Sequence, residues 1–274
     1  MIGTLYLVGT PIGNLGDLSP RALEILQTVD FIACEDTRVT RKLLSHFAIK
    51  KPLMSYFAHN QREAGGRILQ RLFGGESCAL VTDAGMPCIS DPGEDLVLQC
   101  SQSGIPVYSI PGPSAFVAAL SLSGLPSQRF CFEGFLSTEK KPRRVHLDSL
   151  KTQESTMIFY EAPHKLQKTL EDMLDCWGNR PISISRELTK RFEETLHLTL
   201  EEAVAHYKTN PPRGEFVLVI GGAAPDESSG ASLEQAMALY QELLASGLSK
   251  KDACRQAASI TGVSKNLLYS ESLK

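Results

Sequence analysis

SCALVTDAGMPCISDPG, residues 77–93, carries the architecture of the chain. Its first part, residues 77–82, is a short apolar run with the length of a buried strand. Residues 82–93 then hold two glycines and two prolines, which make a loop of defined shape. Asp91-Pro92 reads as the cap of a helix reaching residue 100. The same order, strand then sharp turn then helix, recurs on both sides. Residues 5–9 read as a strand ending in a glycine turn. Ser19-Pro20 reads as an N-cap with proline at the first helical position, and Ala22, Ile25, Leu26 and Val29 follow at helical spacing. Further strands are expected at 31–34, 52–56 and 107–110, with helices at 39–47 and 61–73. Repeated β-then-α order predicts a mostly parallel α/β sheet. Ligands of such sheets bind beyond the carboxyl ends of the strands, where residues 82–93 should lie. With Asp91 assigned to capping, Asp83 is the carboxylate of that loop without a structural task.

The breaker Pro111-Gly112-Pro113-Ser114 ends this unit, so a domain boundary is expected near residue 112. The expected domains are 1–111 and 112–222, both α/β. The second has a helix at 115–122, strands at 130–132, 156–160, 181–186, 194–200 and 215–220, and helices at 142–150, 164–177 and 201–208. Thr199 with Glu202 three residues on is a capping-box signature. Residues 223–232 are small and polar and read as a linker. A helical extension, 233–274, follows with helices at 233–245, 250–261 and 264–273. The last two, joined at Gly262-Val263, are arranged like a helix-turn-helix. With five basic and four acidic residues in that segment, a helical cap or auxiliary contact surface is the favoured reading.

The 274 residues are 42% hydrophobic and 22% charged, with 28 Lys plus Arg against 31 Asp plus Glu and a net charge of −3. This excludes a disordered or coiled-coil chain and a molecule basic all over. No apolar run reaches the roughly 18 residues of a membrane span, and the N-terminus lacks a signal-peptide pattern. Seven scattered cysteines without a CxxC pair suggest free thiols in the cytoplasm. The six histidines form no ligand cluster, so no metal is expected. Residues 9–14, GTPIGN, fit neither GxGxxG nor GxxxxGK[ST], which disfavours a dinucleotide enzyme or P-loop kinase.

GTPIGNLGDLSPRA, CEDTR, TDAGMPCISDP, IPGPSA, FYEAPHKL and SRELTK occur in this order. Together they resemble the tetrapyrrole methylase superfamily, most closely its branch acting on 16S ribosomal RNA, over about residues 3–222. Met86 and Ser137 stand where such sequences usually carry Thr and Pro. The resemblance implies two α/β domains unlike a Rossmann methyltransferase, S-adenosylmethionine (AdoMet) as cofactor, and a cleft between the domains that holds it. Carried over, Pro11 lines the cleft. Asp83, Ala84, Gly85 and Ile89 form the main cofactor loop, Ser114 and Ala115 contact the donor, and Tyr160 and Gly214 approach from the second domain. It also implies a homodimer and, as acceptor, a cytidine ribose in 16S RNA, free or within the 30S subunit.

A ribose 2′-hydroxyl is a weak nucleophile, and a positioned base would assist it. The candidates are Glu35, Asp36 and Glu161, with His164 as runner-up. Arg38 can fork onto a phosphate, and Arg186 and Lys190 either do likewise or pair with Glu187. The structural readings are a helix-start network for Glu35, Asp36 and Arg38, and a turn for Tyr160-Glu161. Phosphate contacts dominate RNA affinity, and two segments concentrate base. Residues 35–51, with Arg41 and Lys42, carry five basic and two acidic side chains; residues 138–151, with Lys140, Lys141, Arg143 and Arg144, carry the same. Both patches are expected at the cleft rim, with Tyr56 and Phe57 as candidates for base stacking. Rival functions are a methylase of the same fold acting on a tetrapyrrole or other small acceptor, and a non-catalytic RNA-binding protein of ribosome assembly.

Overall fold

The computed structural model describes residues 2–224 and 233–272. Strands β1 (Leu5–Val8), β2 (Phe31–Cys34), β3 (Leu53–Ser55), β4 (Cys78–Val81) and β5 (Val107–Ile110) form one sheet in the order β3-β2-β4-β1-β5. Every pairing in it is parallel. Helices α1 (Pro20–Thr28), α2 (Thr37–His46), α3 (Gln61–Phe73) and α4 (Glu94–Gln102) follow the first four strands. β2 and β4 are buried at every residue, as expected where helices cover both faces of a parallel sheet. Successive side chains take opposite sides: Phe31 packs with Ile68, Leu72 and Leu96, while Ile32 packs with Leu26, Val81 and Ile110. Ser19 caps α1 by accepting the Ala22 N–H at 3.1 Å.

After α5 (Ala115–Leu122) come β6 (Phe130–Phe135), α6 (Lys140–Ser149), β7 (Thr156–Glu161), α7 (Pro163–Trp177), β8 (Pro181–Arg186), β9 (Glu194–Thr199), α8 (Leu200–Thr209) and β10 (Phe216–Ile220). Their sheet runs β6-β7-β10-β8-β9 and is parallel only between β6 and β7. α6, α7 and α8 cover one face around Phe159, Leu170 and Leu218; α5 covers the other against Ile158, Val217 and Val219. The capping box at Thr199 and Glu202 forms as read, with Glu202 Oε2 accepting the Thr199 N–H at 2.8 Å. The chain up to Gly222 is one compact unit.

Three sequence expectations are corrected here. Asp91 does not cap α4, which starts at Glu94 with Gly93 in the cap position at φ 143°; a residue without a side chain serves because the loop turns there. Arg143 is not available to RNA. It is 3% exposed, with Nε 2.7 Å from Asp172 Oδ2, and its Nη1 donates to the carbonyls of Ser137 and Thr138 at 3.1 and 3.0 Å. It bolts α6 to α7. Removing one partner of a buried ion pair strands the other charge, so Arg143→Ala should lower unfolding stability by about 3 kcal/mol, read from the urea midpoint. Tyr56, a stacking candidate, is likewise taken by the core at 1% exposure.

The remaining described residues form a second compact unit of α9 (Leu233–Ala245), α10 (Lys250–Thr261) and α11 (Lys265–Glu271). It has an interior of its own, with Ala236, Tyr240, Ala253, Ala257 and Leu268 packed together. Gly262, left-handed at φ 74°, closes α10 and sets the turn into α11. Of the expected linker, residues 225–232 lie outside the described residues, as does Leu273 at the end of the last expected helix. Among the described residues no helix is long and apolar enough to cross a membrane, and no cluster of His, Cys, Asp or Glu is suited to hold a metal.

Candidate functional site

The exits of β1, β4 and β5 are fastened together. Thr10 N–H donates to Gly85 O at 2.9 Å, Gly85 N–H donates to Thr10 O at 3.1 Å, and Thr10 Oγ1 donates to Thr82 O at 3.1 Å. Gly9 and Gly112 pack backbone to backbone, because a Cβ on either would lie 2.7 Å from the other's Cα. The loop from Thr82 to Gly93 is thereby pinned beyond β4, and Gly85 takes φ 88°, the left-handed region. Cys88 at φ 71° and Ser90 at φ 61° are non-glycine residues in the same region. Glu187 at φ 51° and Thr189 at φ 66° strain the loop after β8 similarly. Backbone strain of this kind gathers at ligand sites.

These two loops border one cleft of about 400 Å³, within the usual range of roughly 300–1,000 Å³ for small-molecule sites. The first-sheet wall is Ile12, Thr82 to Met86, Ile89 to Asp91, Ser114 and Ala115; the second-sheet wall is Phe135, Tyr160 to Pro163, Leu188, Lys190 and Glu215 to Val217. Of the sequence candidates, Asp83, Ala84, Gly85, Ile89, Ser114, Ala115, Tyr160, Glu161 and Lys190 meet there. Pro11 and Gly214 do not line it, although their neighbours Ile12 and Glu215 do. Gly214 instead abuts Glu187.

Carboxylates dominate the first wall. Burial pushes Asp91 up to about 6, helped by the nearby charges of Glu35 and Asp83 and opposed by a hydrogen bond with the Thr82 side chain. Asp83 is also raised by burial, against the Asp36 N–H that donates to its Oδ1 at 3.1 Å. Thr82 Oγ1 donates to Glu35 Oε2 at 3.2 Å. Glu35 and Asp36 thus stand behind the wall. Asp36 accepts the Arg38 N–H at 2.7 Å and the Arg38 guanidinium as a fork, and that fork holds it down to about 2. The helix-start network describes Asp36 and Arg38, whereas Glu35 turns to Thr82. Burial, and then Asp91's charge from across the cleft, raise the phenol of Tyr160.

Glu161 is corrected as a base. Oε1 accepts the Ala162 N–H at 2.8 Å and lies 2.9 Å from Lys165 Nζ, while Oε2 accepts Thr169 Oγ1 at 2.6 Å. A carboxylate so engaged plugs the start of α7 and has little capacity for a reaction proton. His164 is exposed and outside the lining. Lys190 Nζ spans Glu187 Oε1 at 2.9 Å and Glu215 Oε2 at 2.8 Å, and Arg186 lies 3.2 Å from Glu194. Lys190 is thus engaged by Glu187, which favours the pairing reading for it, whereas Arg186 meets Glu194 and not Glu187, and its buried Nε has no partner among the described residues. Sequence reasoning missed Asp91 and Phe135. The first was assigned to a cap. The second, 57% exposed against Tyr160, sits at a strand end without a motif to mark it. Together the walls suit a ligand that is part flat and apolar and part cationic.

This fold recurs in solved structures. Cobalt precorrin-4 methyltransferase aligns with a TM-score of 0.60 at 18% identity, covering 80% of this chain and 94% of that one. Diphthine synthase aligns at 0.63 and 17%, covering 80% and 90%. The family model described as tetrapyrrole (corrin/porphyrin) methylases matches residues 4–204, and the chain belongs to that family. Proteins named ribosomal RNA small subunit methyltransferase I are similar over nearly their full length. The one from Synechocystis sp. is 49% identical, covering 100% of this chain and 98% of the relative; that from Bacillus subtilis is 41% identical, covering 98% and 93%. A second model, described as RsmI C-terminal HTH domain, matches residues 230–274. With the separate interior of α9 to α11, it favours a helix-turn-helix unit over the cap expected from sequence.

Proposed function

We propose that the chain is an AdoMet-dependent methyltransferase of small-subunit ribosomal RNA, acting on the ribose 2′-hydroxyl of a cytidine in 16S RNA. The observation that carries this reading is the cleft itself, acidic and apolar and built from strand ends of both sheets, in a chain 41–49% identical to relatives bearing that name. The cleft fits the cofactor on its own terms. Asp83 and Asp91 have no ion-pair partner among the described residues and lose solvation, so a cation facing them would relieve both. Ile12, Met86, Ile89 and Val217 offer apolar surface for a nucleoside, and Ser114 starts α5 without a side-chain cap bond, leaving its hydroxyl for a ligand.

When bound, AdoMet supplies a methyl group already made electrophilic by its sulfonium. The chain has to orient the acceptor, exclude water and take one proton. Asp91 is the residue for the proton: its carboxylate lines the cleft, is ionised near neutral pH and is more basic than an ordinary aspartate. The Thr82 side chain stands against both Asp91 and Glu35. Asp83 fixes the start of α2 through the Asp36 N–H, and Gly85 supplies the φ of 88° at which the loop turns.

Exposed Val117, Leu122 and Phe130 near α5 support association of two copies, and the free cysteines suit a cytoplasmic setting. The same fold serves tetrapyrrole substrates elsewhere, but the full-length similarity to the ribosomal RNA enzymes favours RNA here, and the intact cleft argues against a non-catalytic relict. The test is transfer of labelled methyl from AdoMet to 30S subunits and to naked 16S RNA, with the modified nucleotide mapped. Label on a cytidine ribose is the expected result. Label on neither RNA would overturn the reading.

A further inference from the structure

A second concavity lies on the first sheet, away from the methyl-transfer cleft. It runs between α2 and the edge strand β3, with a volume of about 510 Å³. Thr37, Arg41 and Ser45 contribute one face, and Lys50, Lys51 and Pro52 the other. Residues four apart share a face of a helix, so Thr37, Arg41 and Ser45 form a polar row. Eight residues at 1.5 Å rise give it a length of about 12 Å.

The groove gathers three cations, Arg41, Lys50 and Lys51. Arg38, Arg67, Arg71, Arg143, Arg144, Lys165, Arg186, Lys190 and Arg255 all pair with carboxylates. Arg41, Lys50 and Lys51 form no ion pair among the described residues, in a protein of net charge −3. Asp30, whose ionisation Lys51 favours, has Oδ2 occupied by the Ser77 N–H and hydroxyl, each at 2.7 Å. Three cations from two separate segments therefore converge on a concave polar surface with their charge unspent. Hydroxyls beside cations match phosphodiester oxygens, which accept hydrogen bonds and never donate them. The row begins one residue beyond Asp36, whose N–H holds Asp83 of the cleft wall, so the groove leads from the cleft along the sheet edge.

We propose that the groove between α2 and β3 binds the sugar–phosphate backbone of the RNA strand flanking the target nucleotide. This rests on the RNA reading above and assigns it a track: the cleft receives the nucleotide to be methylated, and the groove holds the phosphates beside it. The recognition is independent of sequence, since it uses charge and hydroxyls and no base edge. Arg144, by contrast, is engaged by Asp148 at 3.4 Å, so of the α6 cluster Lys140 and Lys141 remain as a lesser, convex contribution.

The test is binding of 16S RNA to the full chain across a salt series, comparing wild type with the triple variant Arg41→Gln, Lys50→Gln, Lys51→Gln. Each lost phosphate contact removes about 0.7–0.9 from the slope of log K against log salt, so losing three should flatten the slope by about 2–3. The Michaelis constant for 30S subunits should rise on the order of tenfold, while AdoMet affinity measured by calorimetry stays as in wild type. A slope and Michaelis constant equal to wild type would overturn the groove. Ser45→Glu guards against a folding artefact: it sets a negative charge in the row from an exposed helical position and should weaken RNA binding in the same direction, and unchanged binding counts against the proposal. The two readings fail separately. Wild type that methylates 30S subunits while both variants match it sinks the groove alone. Wild type that transfers no methyl group sinks the methyltransferase reading, and the salt series still reports on the groove.

Discussion

Asp91→Asn should lower kcat by about a hundredfold or more, the size expected for loss of a positioned general base. Asparagine keeps the shape of the side chain and can accept no proton from a hydroxyl at neutral pH. The pH dependence supplies the sharper check. Burial raises Asp91 to about 6, and a base works only when ionised. Wild-type kcat/KM for AdoMet, which reports the free enzyme, should therefore be flat above that value and fall about tenfold per pH unit well below it. In Asp91→Asn that acid limb should vanish from what activity remains. A variant with wild-type kcat and an unchanged limb would move the proton transfer elsewhere, with Asp83 next to test.

Gly85→Val should weaken AdoMet binding by about tenfold to a hundredfold, the effect of roughly 1–3 kcal/mol of backbone strain placed in the binding loop. Gly85 sits at φ 88°, where a β-branched residue is strongly disfavoured. The loop cannot relax in place, because Gly85 exchanges both backbone hydrogen bonds with Thr10. It must either break that pairing or displace Asp83 and Ala84 on its amino side. Calorimetric titration with AdoMet reads the loss, and a far-ultraviolet spectrum like that of wild type shows that the sheets are intact. Affinity equal to wild type would remove the Thr82–Gly93 loop from the cofactor site.

Much of this fold can be read from short local patterns. The parallel sheet follows from apolar runs alternating with helical spacing, and Ser19-Pro20 and Thr199 with Glu202 behave as their side chains dictate. The mixed second sheet was less legible. Its strands are visible as apolar runs, but nothing local tells β10 to insert antiparallel between β7 and β8. The cleft loop was found because glycine and proline mark it. The roles inside it depended on what lies across the gap. Asp91 looks like a cap until Gly93 is seen to take that place, and Glu161 looks like a base until Thr169 and Lys165, a turn and more away, are seen to occupy it. Arg143 looks like part of a basic patch until Asp172, 29 residues on, comes into register.

Glu161 has a consequence beyond its own engagement. Two helices, α5 and α7, begin at the cleft, and each brings the partial positive charge of a helix start. Glu161 neutralises one, whereas Ser114 leaves the other without a side-chain cap. Asp83 and Asp91 make a different stretch of the same wall negative. A zwitterion such as an amino-acid tail is thus steered into a single direction of insertion, carboxylate toward Ser114 and cationic centre toward the aspartates. With the nucleoside end held among Ile12, Met86, Ile89 and Val217 as the third fixed point, one hand of that tail would be accepted over its mirror image.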